Sequence, residues 1–162
     1  MQIRKDISSF GKIGTPRIGY KTQDLKKTLE DFVLQKRIVR IALFGVGNLG
    51  TAILKYPGFH QDKIRLVAAF DQAKGKIGRV INGVKVYSIK EVPKIIPKTQ
   101  ATIAIIAVPK EFSQQIADII VLTGIRGIVN FSTTSASVPK NVWVKDIDLT
   151  IEFLSLFSAI QR

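Results

Sequence analysis

The sequence contains no cysteine and only one histidine among its 162 residues. Without cysteine the chain forms no disulfide, no thiolate nucleophile and no cysteine-based metal site. The single histidine, His60, follows Pro57-Gly58-Phe59 in a predicted loop, where an exposed residue is a better interpretation than the acid or base of a dehydrogenase. No Ser-His-Asp set, pair of carboxylates or metal-ligand cluster is apparent in the sequence. We therefore expect a protein that binds no metal and is not an enzyme.

Long apolar runs and acidic residues are also scarce. No run approaches the ~20 residues of a membrane span, and the N-terminal segment lacks the apolar core of a secretory signal, so we expect a cytoplasmic protein with no membrane partner. The chain carries 25 Lys and Arg against 12 Asp and Glu, a formal net charge of +13. Ten of the basic and four of the acidic residues fall within residues 1–40. This segment is a candidate footprint for nucleic acid, although composition alone favours a solvated, lysine-rich surface.

From residue 38 onward, apolar segments of strand length alternate with amphipathic segments of helix length. Strands are predicted at residues 38–44, 64–70, 84–87, 102–108, 125–131 and 142–147. One helix is predicted before this region, at residues 23–36. Within it, helices are predicted to begin after Gly50 and at the capping box Ser88-Ile89-Lys90-Glu91. Two more are predicted, one with an apolar face of Phe112, Ile116, Ile119 and Ile120 and one at residues 149–160. This alternation is typical of a parallel sheet covered by helices on both faces. The predicted fold class is therefore α/β, with a Rossmann-type doubly wound parallel sheet.

A glycine-rich loop joins the first of these strands to the helix that follows it. Its residues are Gly45-Val46-Gly47-Asn48-Leu49-Gly50. The first glycine permits a tight turn, the second lets the backbone approach a pyrophosphate, and the third lets the helix pack close to the strand. The next strand ends at Phe70-Asp71, and a carboxylate there suits the hydroxyls of an adenosine ribose and repels a 2′-phosphate. We therefore predict an NAD(H) site, with NAD favoured over NADP, rather than a turn that binds nothing.

A dinucleotide site without an accompanying catalytic group indicates a sensor. Two other functions stay open on these residues. A small NAD-dependent oxidoreductase would turn over a hydroxy or keto substrate, but the missing catalytic group argues against it. A CoA-binding Rossmann protein is the third possibility, and Asp71 argues against it because a ribose-binding acid suits NAD better than a 3′-phosphorylated adenosine.

The last predicted helix has almost no polar face. Its apolar residues are Leu149, Ile151, Phe153, Leu154, Leu156, Phe157 and Ile160. Because a surface helix normally keeps a distinct polar stripe, this helix needs burial on more than one side. Insertion between two subunits provides that burial, and so does the interior of a single subunit.

Ten short motifs, in order along nearly the whole chain, resemble the Rex family of bacterial redox-sensing transcriptional repressors. They are residues 3–11 (IRKDISSFG), 19–20 (GY), 45–50 (GVGNLG), 56–59 (YPGF), 69–71 (AFD), 108–109 (VP), 124–125 (GI), 130–131 (NF), 138–139 (VP) and 148–149 (DL). The RKD…FG element and the GNLG loop in this order are far more specific than a Rossmann signature alone.

The resemblance implies a homodimeric repressor that binds NAD(H) and releases operator DNA when the NADH/NAD+ ratio rises. Each subunit would have an N-terminal winged helix for DNA, a Rossmann domain for the cofactor, and a last helix exchanged with the partner. On this chain the implied divisions are a winged-helix remnant with a linker helix at residues 1–37, the Rossmann domain at 38–148 and the dimerisation helix at 149–162.

The resemblance also implies roles for individual residues. Gly45, Gly47 and Gly50 would hold the pyrophosphate, Asp71 the adenosine ribose, and Val108, Pro109 and Asn130 would line the nicotinamide side. The other cofactor-binding residues would be Val46, Asn48, Leu49 and Phe70. Tyr56 would pair with Asp148 of the partner subunit in one state of the switch, beside Leu149 and Phe153 of the exchanged helix. The alternatives are that Tyr56 only packs its ring at a helix end and that Asp148 is an ordinary N-cap.

The DNA contacts implied by the resemblance are Arg4, Lys5, Lys12 and Arg17. This chain begins within what the family uses as its recognition helix, has Pro16-Arg17 where the family usually has Arg-Gly in the wing, and has Thr133 where the family usually has Pro. Helix-turn-helix docking needs the supporting helices that precede the recognition helix. We therefore expect these 162 residues alone to bind DNA weakly, with strong salt dependence and little sequence preference.

Overall fold

The structure, a computed structural model, describes residues 38–61 and 63–161 together with Gln23 and Lys26. The chain divides between Ile38 and Val39 into two units, and the following account concerns the second. Of the predicted helix at residues 23–36, only Gln23 and Lys26 are described, and both are helical. Arg4, Lys5, Lys12 and Arg17 lie outside the described residues.

Within the described residues, eight strands form one sheet. They are β1 (Val39–Phe44), β2 (His60–Gln61), β3 (Ile64–Asp71), β4 (Val80–Ile81), β5 (Val84–Ser88), β6 (Ile103–Ile106), β7 (Gly127–Asn130) and β8 (Trp143–Asp146). The order across the sheet is β4-β5-β3-β1-β6-β7-β8, and β2 pairs with β3. The pairs from β5 to β8 are parallel, whereas β2–β3 and β4–β5 are antiparallel.

This order reverses direction between β1 and β6, in the middle of the sheet. The chain moves outward from β1 through β3 to β5 and then crosses back to β6, from which it continues to β7 and β8 on the other side. The connections after β1 and β6 therefore diverge and leave a crevice at the carboxyl ends of these two strands. Open parallel sheets bind their ligands in such a crevice.

Four helices of the described region follow these strands. They are α1 (Asn48–Lys55), α2 (Val92–Thr99), α3 (Lys110–Leu122) and α4 (Leu149–Ile160). One face of the sheet packs against Val92 and Ile96 of α2 and Ile116 and Ile120 of α3. The opposite face packs against Ile53 and Leu54 of α1. The prediction of a parallel sheet with helices on both faces is confirmed.

The predicted elements differ from the observed ones mainly at their ends. The two-residue strands β2 and β4 are too short to show a period, and the sequence analysis missed both. Ser88–Glu91 does form a capping box, with Ser88 N–H donating to Glu91 Oε2 over 3.0 Å, but it begins a 3₁₀ turn that continues into α2. His60, predicted in a loop, is exposed at the start of β2.

The helix α4 buries none of its residues within the described part of the chain. Its apolar side chains are between 57% and 72% exposed. The described structure therefore provides no intramolecular cover for the most apolar of its four described helices. No helix in this part of the chain is both long enough and apolar enough to cross a membrane.

Candidate dinucleotide-binding site

The loop between β1 and α1 lies at the crevice where the strand order reverses. Gly45 follows the last residue of β1 with φ +95°, a left-handed conformation that side chains with a Cβ rarely adopt. A Cβ on Gly45 would also meet the carbonyl of Ala107, and a Cβ on Gly50 would meet the carbonyl of Gly45. These two glycines are therefore required by the close packing of the loop, α1 and β6.

Gly47 differs from its two neighbours because nothing lies within 4 Å of the position of an added Cβ. It is the N-cap of α1, which has no side-chain cap and no acidic residue in its first turn. The N–H groups of a first helical turn have no partner within the helix, and together with the helix dipole they attract phosphate. The open side of Gly47 therefore leaves room for an anion at the start of α1.

A cavity of about 330 Å³ opens beside this loop, at the lower end of the range for ligand pockets. Six of the predicted cofactor residues line it, namely Gly45, Gly47, Phe70, Asp71, Val108 and Pro109. The other lining residues are Gln72, Ala73, Lys76, Ile89, Ala107, Phe112, Gln115, Ile116 and Ile119. The crevice thus combines a helix N-terminus with room for an anion, a carboxylate and an apolar wall.

The remaining predicted cofactor residues do not line the cavity. Val46 and Gly50 are buried behind the loop, whereas Asn48 and Leu49 are exposed in the first turn of α1. The side chain of Asn130 is fully buried. Its Nδ2 donates to Asp146 Oδ1 over 2.7 Å and to the carbonyl of Thr134. Since the amide is already bonded within the protein, Asn130 fixes the loop after β7.

The predicted apolar face of α3, which includes Phe112, is divided between the core and the cavity. The side chain of Phe112 is exposed and lines the cavity, so the core face of α3 consists of Ile116, Ala117 and Ile120. The apolar stripe of α3 is wider than a core alone requires, and this width was the available sequence signal for a wall facing a ligand.

Asp71, the last residue of β3, is 8% exposed and accepts three hydrogen bonds. Its Oδ2 accepts from the backbone N–H of Val46 over 2.8 Å and from Lys76 Nζ over 3.1 Å. Its Oδ1 accepts from the backbone N–H of Ala73 over 2.8 Å. The carboxylate therefore ties the glycine loop to the turn after β3, in addition to facing the cavity.

These contacts decide the protonation of Asp71. Burial by itself raises the pKa of this carboxyl, but the hydrogen bonds from Ala73 and Val46 and the ammonium of Lys76 together lower it below its ordinary value. Asp71 is therefore ionised at neutral pH and acts as an acceptor of hydrogen bonds. Within the described residues, no group of three or more His, Cys, Asp or Glu side chains is arranged to hold a metal ion.

Comparison with known proteins shows which protein family the chain resembles. A family model described as the CoA binding domain matches residues 36–134. The redox-sensing transcriptional repressor Rex of Roseiflexus sp. (strain RS-1) is 43% identical over 147 residues, which cover 91% of this chain and 67% of that protein. Rex of Thermosipho africanus (strain TCF52B) is 35% identical over 161 residues, which cover 99% of this chain and 77% of that protein.

This chain belongs to the Rex family. The CoA binding domain model covers most of its Rossmann unit, from β1 to β7, and its curated relatives in this family are repressors.

Solved Rex structures resemble this chain along almost all of its length. A Rex-family repressor, RSP, in complex with β-NAD+ and operator DNA superposes with a TM-score of 0.81 at 29% identity, covering 98% of this chain and 73% of that one. The complex of RSP with β-NADH superposes with a TM-score of 0.80 at 29% identity, covering 98% of this chain and 74% of that one. The Rex fold predicted from the motifs is confirmed by these matches.

The two residues that the Rex resemblance pairs across subunits have local contacts here. Tyr56 is the C-cap of α1 and is 59% exposed, and its ring lies edge-on to that of Phe59 at 5.6 Å between ring centroids. Asp148 caps α4, since its Oδ1 accepts from the backbone N–H of Thr150 over 2.9 Å. Leu149 and Phe153 are exposed on α4. The packing of Tyr56 and the capping by Asp148 are both present within one subunit, and pairing between subunits stays a prediction.

Proposed function

We propose that this protein is a redox-sensing transcriptional repressor that binds NAD(H) and releases operator DNA when the NADH/NAD+ ratio rises. The observation that supports it most is the crevice between β1 and β6, where an open Gly47 at the start of α1 lies beside the ionised Asp71. Membership of the Rex family supports the same function, because the RSP repressor of that family has structures with NAD+ and operator DNA and with NADH. A repressor acts where the chromosome is, so we place it in the cytoplasm.

In this proposal the loop glycines and the N-terminus of α1 bind the pyrophosphate, and Asp71 accepts from the adenosine ribose. The apolar wall of Ile89, Phe112 and Ile119 is placed for an adenine ring. Val108 and Pro109 line the nicotinamide side. Asn130 contributes indirectly, by fixing the loop that follows β7. In this proposal the protein responds to the bound cofactor as a signal and is not an enzyme.

We further propose that the protein is a homodimer through α4. An apolar helix without cover in its own described chain needs a partner surface. In the dimer, Tyr56 of one subunit and Asp148 of the partner subunit form the contact that one state of the switch uses. The DNA contacts of the proposal are Arg4, Lys5, Lys12 and Arg17.

A second candidate function is CoA binding, because the family model that matches residues 36–134 has that description. Calorimetric titration of the protein with NADH, NAD+, NADPH and CoA separates the two. We expect NADH to bind most tightly and Asp71→Ala to weaken NADH binding by about 1.5–3 kcal/mol, the range for hydrogen bonds to a charged group. The same variant should narrow the gap between NADH and NADPH. Tight binding of CoA without detectable binding of NADH would contradict the proposed NAD(H) sensor and support a CoA-binding protein instead.

The repressor function is tested by binding of the duplex operator that was crystallised with RSP, measured by fluorescence anisotropy with and without NADH. Because these 162 residues alone are expected to bind DNA weakly and with little sequence preference, the protein used in this test carries a complete N-terminal winged helix. Binding of two ligands to one protein is coupled reciprocally. We therefore expect NADH to weaken operator binding, and saturating operator to weaken NADH binding by the same factor. Titration with NAD+ in place of NADH is the control, and equal effects of the two forms contradict redox sensing.

A further inference from the structure

Asp71 has a cationic partner that also faces the cofactor cavity. Lys76 lies in the loop after β3, where its backbone N–H donates to the carbonyl of Ala73 over 2.9 Å. Its Nζ lies 3.1 Å from Asp71 Oδ2, and its side chain is 38% exposed while that of Asp71 is 9% exposed. Both residues line the cavity. Lys76 therefore covers the solvent side of the acid that is proposed to bind the ribose.

The Lys76 contact uses an acceptor position that a ribose needs. An ionised carboxylate offers about four lone-pair sites, and the N–H groups of Val46 and Ala73 with Lys76 Nζ occupy three of them. The two hydroxyls of an adenosine ribose bring two donors. Lys76 thus has to share or leave Oδ2 when the ribose binds, and the lysine side chain, on its flexible four-carbon stem, then remains beside the ribose.

The pair also changes the charge at this end of the cavity. An isolated carboxylate repels a phosphate group on the ribose, which is the usual basis for preferring NAD to NADP. An ion pair of Asp71 with Lys76 has no net charge, and an ammonium group is a phosphate ligand in its own right. The repulsion expected from the sequence is therefore opposed by a residue five positions further along the chain.

We propose that Lys76 is a specificity-determining residue of the adenosine end, which reduces the discrimination of this site against 2′-phosphorylated dinucleotides. This inference rests on the proposed binding of NAD(H) at the same site. It assigns Lys76 two partners, the Asp71 carboxylate in the absence of a dinucleotide and the 2′-phosphate when NADP(H) binds.

The test compares Lys76→Met with Lys74→Met. Lys74 is exposed in the same loop, so its variant removes the same charge two positions away, and methionine keeps most of the apolar stem in both variants. Dissociation constants for NADH and NADPH are measured by calorimetry, with NADPH also measured by displacement of NADH. We expect the ratio of the NADPH constant to the NADH constant to rise about tenfold or more in Lys76→Met, and to change less than about twofold in Lys74→Met, where salt screens an exposed charge.

A second pair of variants makes the result independent of how weakly the wild type binds NADPH. In an Asp71→Asn background the ammonium of Lys76 has no carboxylate partner, so we expect Asp71→Asn alone to bind NADPH about tenfold more tightly than Asp71→Asn combined with Lys76→Met. Lys76→Gln replaces Lys76→Met in either background if the methionine variant does not fold.

Three results overturn the inference. One is an equal loss of NADH and NADPH binding in Lys76→Met, which would make Lys76 a general anion attractor or a support for Asp71. Another is a rise in the ratio of the NADPH to the NADH dissociation constant that is as large in Lys74→Met as in Lys76→Met. The third is equal NADPH binding by the two variants of the Asp71→Asn background. Failure of the wild type to bind NADH at all would instead overturn the proposed function, so the two failures are distinguishable.

Discussion

At the scale of single residues, the three glycines of the loop between β1 and α1 have different reasons to be glycine. Gly45 and Gly50 leave no room for a Cβ beside the carbonyls of Ala107 and Gly45, whereas the corresponding position at Gly47 is open. The first two are thus demanded by the fold. In the proposed function, Gly47 is required instead by the dinucleotide, whose pyrophosphate has to approach the backbone closely.

Substitution of these glycines should therefore separate stability from binding. We expect Gly47→Ala to unfold at nearly the same denaturant concentration as the wild type but to lose about tenfold or more in NADH affinity, since a methyl group would stand where the phosphates approach. Gly50→Ala should lose about 1–3 kcal/mol of unfolding free energy through overpacking. Gly75, also with open space at its Cβ position, provides the control variant Gly75→Ala, which should change neither quantity. A normal NADH affinity in Gly47→Ala would contradict the assignment of the loop.

The hydrogen bonds of Asp71 predict a pH dependence of stability. The pKa of this carboxyl is lower in the folded protein than its ordinary value, so its contribution is present above the unfolded pKa of about 3.9. The contribution is lost as the pH falls through the lower folded pKa. We expect Asp71→Asn to cost about 1–3 kcal/mol of unfolding free energy at pH 7, and the difference from wild type to shrink at pH 3. A difference that is constant between these pH values, measured by urea denaturation, would show that the ionised form has no special role.

At the scale of elements, α1 and α4 differ most in the burial of their apolar side chains. Ile53 and Leu54 of α1 pack against the sheet, so that helix is part of its own subunit's core and holds the loop glycines in place. The apolar side chains of α4 are all exposed. The Asp148 cap nevertheless fixes where α4 begins, so the helix is defined locally and lacks only a surface to cover it.

A charged substitution on α4 should therefore break the proposed dimer. We expect Phe153→Asp to raise the dimer dissociation constant about thirtyfold or more, which corresponds to the ~2 kcal/mol of a central interface residue. Leu122 of α3 is 87% exposed, and Leu122→Asp is the matched control that should leave the dimer intact. Sedimentation equilibrium at micromolar concentration measures both, and a wild-type monomer under these conditions would contradict dimerisation through α4.

At the scale of the whole molecule, the charge of +13 is distributed unevenly, with a basic excess in residues 1–40. In the proposed function, the Rossmann unit binds its cofactor through local hydrogen bonds and the N-terminus of α1. Contact with DNA phosphates depends instead on cations and on the release of counterions. The two activities should therefore respond differently to salt.

We expect the logarithm of the DNA affinity to fall steeply with the logarithm of salt concentration, by about 0.9 per phosphate neutralised. Arg4→Ala and Lys5→Ala should each make this slope shallower by about that amount. Lys140, exposed between β7 and β8, gives the control variant Lys140→Ala, whose slope should match the wild type. Slopes that are the same for all three variants, in anisotropy titrations at several salt concentrations, would remove Arg4 and Lys5 from the DNA interface.

The sequence by itself determined the properties that depend on neighbours along the chain. Strand and helix periods predicted the strands from β1 to β8, apart from the short β2 and β4, and the glycine spacing predicted the loop at the start of α1. These features were predictable because an element's period, its caps and its tight turns depend on residues within about one or two turns of each other. The end of β3 at Asp71 was identified in the same way.

Only the tertiary structure decided which side chains meet inside the crevice. Lys74 and Lys76 are equivalent in the sequence, on either side of Gly75, but only Lys76 is seen to pair with Asp71. Asn130 proved to be bonded to Asp146 and Thr134 rather than open to the cavity, and Phe112 faces the cavity rather than the core. Such contacts depend on side-chain directions and on the path of loops without a period, where a rotation of one residue selects a different neighbour.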